Sequence, residues 1–119
     1  MEGLRTEAVI QAIENGEYDE RFSEIYMDAT RSVRQKERYI RAVKEYIGQF
    51  GAGEAAIFSA PGRSEIGGNH TDHQHGEVLA ASINLDAIAV TEKTAEPTVR
   101  LVSDGCEPII IPLNEPQKP

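Results

Sequence analysis

The first half of the chain repeats apolar residues at helical spacing. Thr6 can cap a short first helix, and Gly16 stands where the C-terminal stop of that helix belongs. Val9 and Ile13 share one side of the same helix. A longer helix is predicted to end at Gly51, because apolar residues recur before it at steps of three and four. Those residues are Val33, Tyr39, Ile40, Val43, Ile47 and Phe50.

From Glu54 onward the pattern changes to short, partly alternating, β-branched segments that are typical of strands. The predicted strands cover residues 55–59, 77–82, 85–93, 98–103 and 108–113. The first strand is predicted to close at Ala60-Pro61-Gly62, and a polar, glycine-rich loop is predicted from Arg63 to Gly76. Helices followed by strands predict an α+β fold rather than a doubly wound sheet.

Composition and charge disfavour several classes of protein. The net charge of −8 opposes nucleic-acid binding, which draws its affinity from Lys and Arg contacts with phosphates. No apolar run approaches the roughly 20 residues that span a bilayer, and the acidic N-terminus does not resemble a signal peptide. A single cysteine, Cys106, excludes an intrachain disulfide and fits a reducing compartment. We therefore expect a cytoplasmic protein that binds neither nucleic acid nor membrane.

The candidate chemistry is concentrated in the loop between residues 63 and 76. This loop holds every histidine of the sequence together with basic, acidic and amide groups. These residues are Arg63, Glu65, Asn69, His70, Asp72, His73 and His75. Such donors and acceptors suit the hydroxyl groups of a sugar, whereas imidazoles beside a carboxylate also suit a metal ion such as zinc. The spacing argues against the metal, because the sequence has no second cluster of ligands.

A longer motif in this region resembles the galactokinase signature of the GHMP kinase superfamily. It comprises Ala60-Pro61-Gly62-Arg63 followed by Gly68-Asn69-His70-Thr71-Asp72, and the segment GEVLAASINLDAIAV follows it. A helix ending in Phe50-Gly51 just upstream is also similar to the family. The resemblance covers roughly residues 36–103, and a motif of this length is far more specific than a single glycine-rich loop.

The resemblance implies a galactose site and a kinase reaction. Arg63 matches the catalytic arginine that lies beside the attacking sugar hydroxyl and the transferring phosphate. His70 and Asp72 match residues that bind the galactose hydroxyls, and Asn69 matches a position that usually holds glutamate. A site built to pair with a hydroxyl discriminates strongly against sugars that lack it. Galactose is therefore the expected small-molecule partner.

The resemblance also implies part of a larger enzyme. The implied fold is a helical extension, residues 1–53, followed by part of the ribosomal protein S5 domain 2-like domain of these kinases, residues 54–119. The complete enzyme would use ATP and Mg²⁺. Nothing between Ile83 and Pro119 resembles the family's phosphate loop. We therefore expect a truncated chain that binds neither cofactor, has no metal site and is inactive alone.

Departures from the family pattern leave other interpretations open. Ser64, Glu65, Gly67, Asn69 and His73 replace the residues that are usual at these positions. Asn69 keeps an acceptor, adds donors and removes the charge of the usual glutamate, so it alters the strength of galactose binding. As a group, these departures bear on the identity of the sugar more than on the kinase chemistry. The alternatives are a non-catalytic, galactokinase-like sugar sensor and, third, a metal-binding histidine loop. The sequence predicts no oligomeric state.

Overall fold

The computed structural model describes residues 3–68 and 75–114 of the chain. Within these ranges the chain forms α-helices and β-strands in separate stretches, which confirms the α+β class. The elements are β1 (Leu4–Arg5), α1 (Thr6–Glu14), α2 (Asp19–Tyr26), α3 (Ala29–Phe50), β2 (Glu54–Gly67), β3 (Leu79–Thr91), β4 (Thr98–Leu101) and β5 (Ile109–Pro112). The assignment of this fold to the S5-like domain, and the division of the chain at residue 53, stay predictions.

Two glycines and one aspartate set the ends of the helices. The Asp28 side chain accepts a hydrogen bond from the N–H of Thr30 at 2.8 Å, which caps the start of α3. Gly51 ends that helix with a φ of +88°, and Gly16 follows α1 with a φ of +81°. Both glycines adopt a left-handed conformation that costs other residues energy, so they stop the helices as predicted.

Thr6 does not cap α1, so the prediction that it does is wrong. It is the first residue of the helix, and Arg5 before it makes no side-chain cap. Thr6 is completely buried, and its N–H donates to the carbonyl of Gly53 at 3.0 Å. Its hydroxyl also accepts from the N–H of Gly53 at 3.4 Å. Thr6 therefore ties the start of α1 to the turn that leads into β2.

The core lies among the three helices and one end of the sheet. Helix α2 was not predicted as a separate element, yet it supplies two of the buried aromatic side chains. The buried apolar residues of the cluster are Val9, Ile13, Phe22, Tyr26, Tyr39 and Val43. The rings of Phe22 and Tyr39 meet edge to face, with centroids 4.9 Å apart. Ile57 of β2 and Ile88 and Val90 of β3 are half-buried and pack against this cluster.

The sheet is dominated by a long antiparallel hairpin of β2 and β3, with β1 paired to the start of β2. The predicted end of the first strand at Ala60-Pro61-Gly62 is wrong, because β2 continues to Gly67. The predicted strands 77–82 and 85–93 form one strand, β3. Proline usually interrupts a ladder, and here the register of the pairing shifts directly after Pro61, which accommodates it.

The last two strands form a second, two-stranded sheet. Val99 pairs with Ile111 and Leu101 pairs with Ile109, which confirms both predicted strands with shorter bounds. Gly105 turns the chain between them with a φ of +74°. Among the residues that the structure describes, no helix has the length and apolar character needed to span a membrane.

Candidate functional site

Arg63, the predicted catalytic residue, lies within β2 and not in a loop. It is exposed and pairs with Ser82 of β3. The correction follows from the continuation of β2, which places Arg63 on a paired strand, between two shifts of the pairing register and four residues before the strand ends at Gly67. A residue on a paired strand is held more rigidly than one on a loop, which suits a group that must be positioned.

The other predicted site residues, Asn69, His70 and Asp72, lie outside the described residues. The structure does describe the two sides from which the chain enters and leaves this segment. A Cβ atom at Gly68 would lie 2.5 Å from the carbonyl oxygen of Glu77 and 2.6 Å from the Cα of Val78. The entry and the exit of the segment are therefore pressed together in a narrow neck, at the outer end of the hairpin that carries Arg63.

A β-bulge separates Arg63 from the inner part of the hairpin. Pro61 pairs with Asp86 and Arg63 pairs with Ser82, so β3 advances four residues while β2 advances two. Gly62 sits at this point, and a Cβ there would lie 3.2 Å from the side chain of Ile83. The extra residues lie in β3. Such an irregularity bends the bulged strand and increases the local twist, so it affects the direction of the outer hairpin, which carries Arg63.

The most connected polar group near the bulge is the carboxylate of Asp86, whose side chain is 5 % exposed. Arg38 of α3 donates to Oδ1 of Asp86 at 2.5 Å and to its main-chain oxygen at 2.7 Å. The hydroxyl of Tyr26 donates to Oδ2 at 2.7 Å, and that of Ser59 donates to the same oxygen at 2.5 Å. Tyr39 lies 3.0 Å from the hydroxyl of Tyr26 and donates to it, since Tyr26 gives its own proton to Asp86.

This network changes the protonation properties of its members. Burial raises the pKa of Asp86, but hydrogen bonds from Ser59, Arg38 and Tyr26 outweigh it and hold the pKa below its ordinary value. Burial lowers the pKa of Arg38, and the bond to Asp86 reverses this into a net rise. Burial, together with the bonds to Tyr39 and Asp86, raises the pKa of Tyr26. Asp86 is therefore ionised and Tyr26 is a neutral donor at neutral pH.

Sequence reasoning missed Asp86, although a signal for it exists. In a strand, residues two apart face the same side, so Asp86 shares a face with Ile88 and Val90. Those two residues pack against the core. When the strand pattern points an aspartate toward the core, its carboxylate must either have hydrogen-bonding or charged partners or be protonated, because burying an unpaired charge is very costly. Two of its partners, Arg38 and Tyr26, lie on helices and are 48 and 60 residues away from Asp86 in the chain. No local sequence pattern reveals these partners.

A second carboxylate joins α3 to the sheet at the inner end of the hairpin. Glu92 accepts from the hydroxyl of Tyr46 at 2.5 Å and from the N–H of Glu54 at 3.3 Å. Burial and the bond to Glu92 raise the pKa of Tyr46 to about 12. The last turns of α3 are thereby fastened to both strands where the hairpin begins.

An open groove of about 790 Å³ lies between the first two helices and the hairpin. Its walls include Phe22 and Ile25 of α2 and Ile57 and Phe58 of β2, and Asp86 is one of its polar residues. As for metal ions, no group of three or more His, Cys, Asp or Glu side chains comes together within residues 3–68 and 75–114. The metal hypothesis rests on His70, His73 and His75. Only His75, which is exposed in a turn, lies within those ranges, so the hypothesis stays a prediction.

Comparison with known proteins gives the hairpin a family context. A family model described as the galactokinase galactose-binding signature matches residues 44–93. The matched range begins in α3, includes β2 and β3, and contains both Arg63 and Asp86. It also contains the three predicted sugar-binding residues, and it confirms the resemblance drawn from the sequence.

Two curated relatives agree with the family model. A galactokinase of Enterococcus faecalis is 33% identical over 63 residues, which is 53% of this chain and 16% of that protein. A galactokinase of Bos taurus is 31% identical over 98 residues, which is 78% of this chain and 25% of that protein. The chain thus spans a quarter or less of the length of these relatives. No solved structure matches it significantly.

Proposed function

Since the chain carries the galactose-binding signature of the galactokinases, we propose that it forms the sugar-binding portion of a galactokinase-like sugar kinase. The observation that carries the proposal is the match of that signature to the hairpin on which Arg63 lies. In the complete enzyme, the anomeric hydroxyl of galactose attacks the γ-phosphorus of ATP, and the bond to ADP breaks. The hydroxyl proton leaves to a base, and the products are galactose 1-phosphate and ADP.

Arg63 serves this reaction through its position on the hairpin. It is exposed, so its guanidinium is available to a ligand, and it lies two residues beyond the bulge at Pro61. A guanidinium presents fixed N–H donors that match the oxygens of a phosphate. We assign Arg63 to the neutralisation of negative charge on the transferring phosphoryl group.

Asn69, His70 and Asp72 are assigned to the sugar. Each hydroxyl of galactose donates one hydrogen bond and accepts others, so a carboxylate, an imidazole and an amide together can satisfy several of them. Loss of a hydrogen bond to a charged group costs about 1.5–3 kcal/mol. Removal of the Asp72 carboxylate should therefore weaken galactose binding by roughly 10- to 100-fold.

The galactokinase resemblance implies ATP and Mg²⁺ as partners of the complete enzyme. The segment from Ile83 to Pro119 holds no sequence of the glycine-rich phosphate-loop type. We therefore propose that the nucleotide and its metal are bound by other parts of the complete enzyme, within the S5-like architecture of the GHMP kinases. The exposed, unpaired Cys106 supports a reducing compartment such as the cytoplasm.

The proposal is tested by titrating the chain with a panel of sugars and by assaying ATP-dependent phosphorylation with the complete gene product. We expect galactose to bind best, and we expect only the complete product to phosphorylate it. Asp72→Ala should weaken binding, whereas Asp104→Ala, an exposed acid outside the hairpin, should not. If galactose binds but the complete product does not phosphorylate it, the sensor alternative replaces the kinase. Absence of galactose binding to both proteins would refute the proposed function.

A further inference from the structure

We propose that Asp86 is a positioning residue that anchors the β2–β3 hairpin to helices α2 and α3 and thereby aims its outer half, which carries Arg63. The consequence for sugar binding rests on the proposed function. The anchoring itself does not, because it follows from the contacts of described residues.

The first argument is the number of elements that meet at this one side chain. Tyr26 comes from α2, Arg38 from α3 and Ser59 from β2, while Asp86 itself belongs to β3. Arg38 holds both the carboxylate and the main-chain oxygen of Asp86. A two-point contact from a planar guanidinium fixes orientation as well as distance. These bonds therefore constrain the direction of β3 where it leaves the core.

The second argument is the change in burial along the hairpin at Asp86. On the inner side, Ile57, Ile88 and Val90 pack against the helical core. On the outer side, residues 79–85 of β3 are all exposed, and residues 63–67 of β2 are exposed except for the half-buried Glu65. Asp86 is thus the outermost residue of β3 that the helices hold among those the structure describes.

The third argument is that a small change of angle at Asp86 produces a large displacement at the outer end of the hairpin. At about 3.3 Å per residue, Arg63 lies roughly 7 Å beyond the partner of Asp86, and Gly67 lies roughly 20 Å beyond it. A change of about 10° at the anchor would move Gly67 by about 3 Å. Binding and catalytic groups must be held within about 0.5 Å of their productive positions. Loss of the hydrogen bonds to Asp86 should therefore displace the outer hairpin, including Arg63, without removing any side chain that is assigned to the sugar.

The test measures the direction of the outer hairpin in the full chain. Spin labels are placed through Ile66→Cys on β2 and Val33→Cys on α3, in a Cys106→Ser background. Both sites are well exposed, at 66% and 57%. The width of the distance distribution between the labels is compared with and without Asp86→Asn. We expect a narrow distribution in the parent protein and a clearly broader or shifted one in the variant.

Val43→Ala is the matched control, because Val43 is fully buried in the helical core and makes no bond to the hairpin anchor. It should lower stability while leaving the distribution narrow. Tyr26→Phe removes the hydrogen bond from Tyr26 to Asp86, and Arg38→Lys removes the two-point guanidinium contact. Both variants retain most of the packing, so they can test the inference if Asp86→Asn does not fold. An unchanged distribution in the Asp86 or Arg38 variants would overturn the inference. Equal broadening by Val43→Ala would overturn it too.

The link to the sugar is measured with the same variants. At conditions where every variant is folded, Asp86→Asn should raise the Kd for galactose at least about tenfold, since small misplacements of binding groups are costly. Val43→Ala should leave the Kd within about twofold at the same folded fraction. If neither the parent chain nor the complete gene product binds galactose, the proposed function fails, while the spin-label distances still decide whether Asp86 anchors the hairpin.

Discussion

Gly68, which directly follows β2, tests the geometry of the neck that leads into the signature segment. Its φ of +97° lies in the region that favours glycine. A Cβ added there would approach the carbonyl oxygen of Glu77 to 2.5 Å and the Cα of Val78 to 2.6 Å. Both are main-chain atoms, so rotation of a side chain cannot relieve the contact. Gly68→Ala must therefore separate the two sides of the neck.

Two effects of Gly68→Ala raise the free energy of the described neck conformation, and one effect on the unfolded chain offsets part of that rise. A non-glycine residue at this φ costs about 1–3 kcal/mol, and a contact of this kind adds about 1–3 kcal/mol. Alanine restricts the unfolded chain, which offsets about 0.4–1 kcal/mol. The net cost is about 1–6 kcal/mol. Because the neck is at the outer end of the hairpin, the chain relieves the strain by opening the last strand pairs before it unfolds globally.

Amide hydrogen exchange of the full chain provides the assay. Gly68→Ala should speed exchange of the outer hairpin amides by about fivefold or more, since 1.4 kcal/mol is a factor of about ten and the lower bound of the cost is about 1 kcal/mol. The amides of α3 should be unaffected. Gly67→Ala is the matched control, because a Cβ at Gly67 meets nothing within 4 Å and its φ is not left-handed. Equal exchange in both variants, or full protection in Gly68→Ala, would refute the described geometry of the neck.

Two further predictions concern stability. Ile13 is only 2% exposed, so Ile13→Ala should lower the free energy of unfolding by about 2–5 kcal/mol. Val33 is exposed, so Val33→Ala should change the free energy of unfolding by less than about 0.5 kcal/mol. Similar losses for the two variants in urea unfolding would contradict the assigned core. Hydrogen bonds lower the pKa of Asp86 despite its burial, so the stability difference between the parent and Asp86→Asn should persist above pH 3.8 and shrink as acidification passes the folded pKa. A difference that grows below pH 3.8 would refute this.

The helices were the most predictable part of the fold. The step of three and four residues before Gly51 is a strong signal for α3, and the structure confirms its end. The strands were harder, because local rules treat Pro61-Gly62 as a stop. The bulge after Pro61 shifts the pairing register and lets β2 continue to Gly67. Whether a proline ends a strand depends on its partner strand, which local sequence does not specify.

The candidate site was predictable only where its residues are adjacent in the chain. The motif from Arg63 to Asp72 is contiguous, so its resemblance to a family signature was visible, and the family model confirms it. Individual roles for these residues stay predictions. The Asp86 network was not visible as a group, because Tyr26 and Arg38 come from helices far upstream and meet Asp86 only in the folded chain.

The network also explains why the helices and the hairpin depend on each other. Without the hairpin, the Arg38 guanidinium and the hydroxyl of Tyr26 lose their shared acceptor, and Tyr26 keeps only the hydroxyl of Tyr39 among these partners. Without the helices, the carboxylate of Asp86 keeps only Ser59 among these donors. Each part thus loses most of its hydrogen bonds at this point when the other is removed. This reciprocity makes the direction of the hairpin, and with it the position of Arg63, a property of the helices as much as of the sheet.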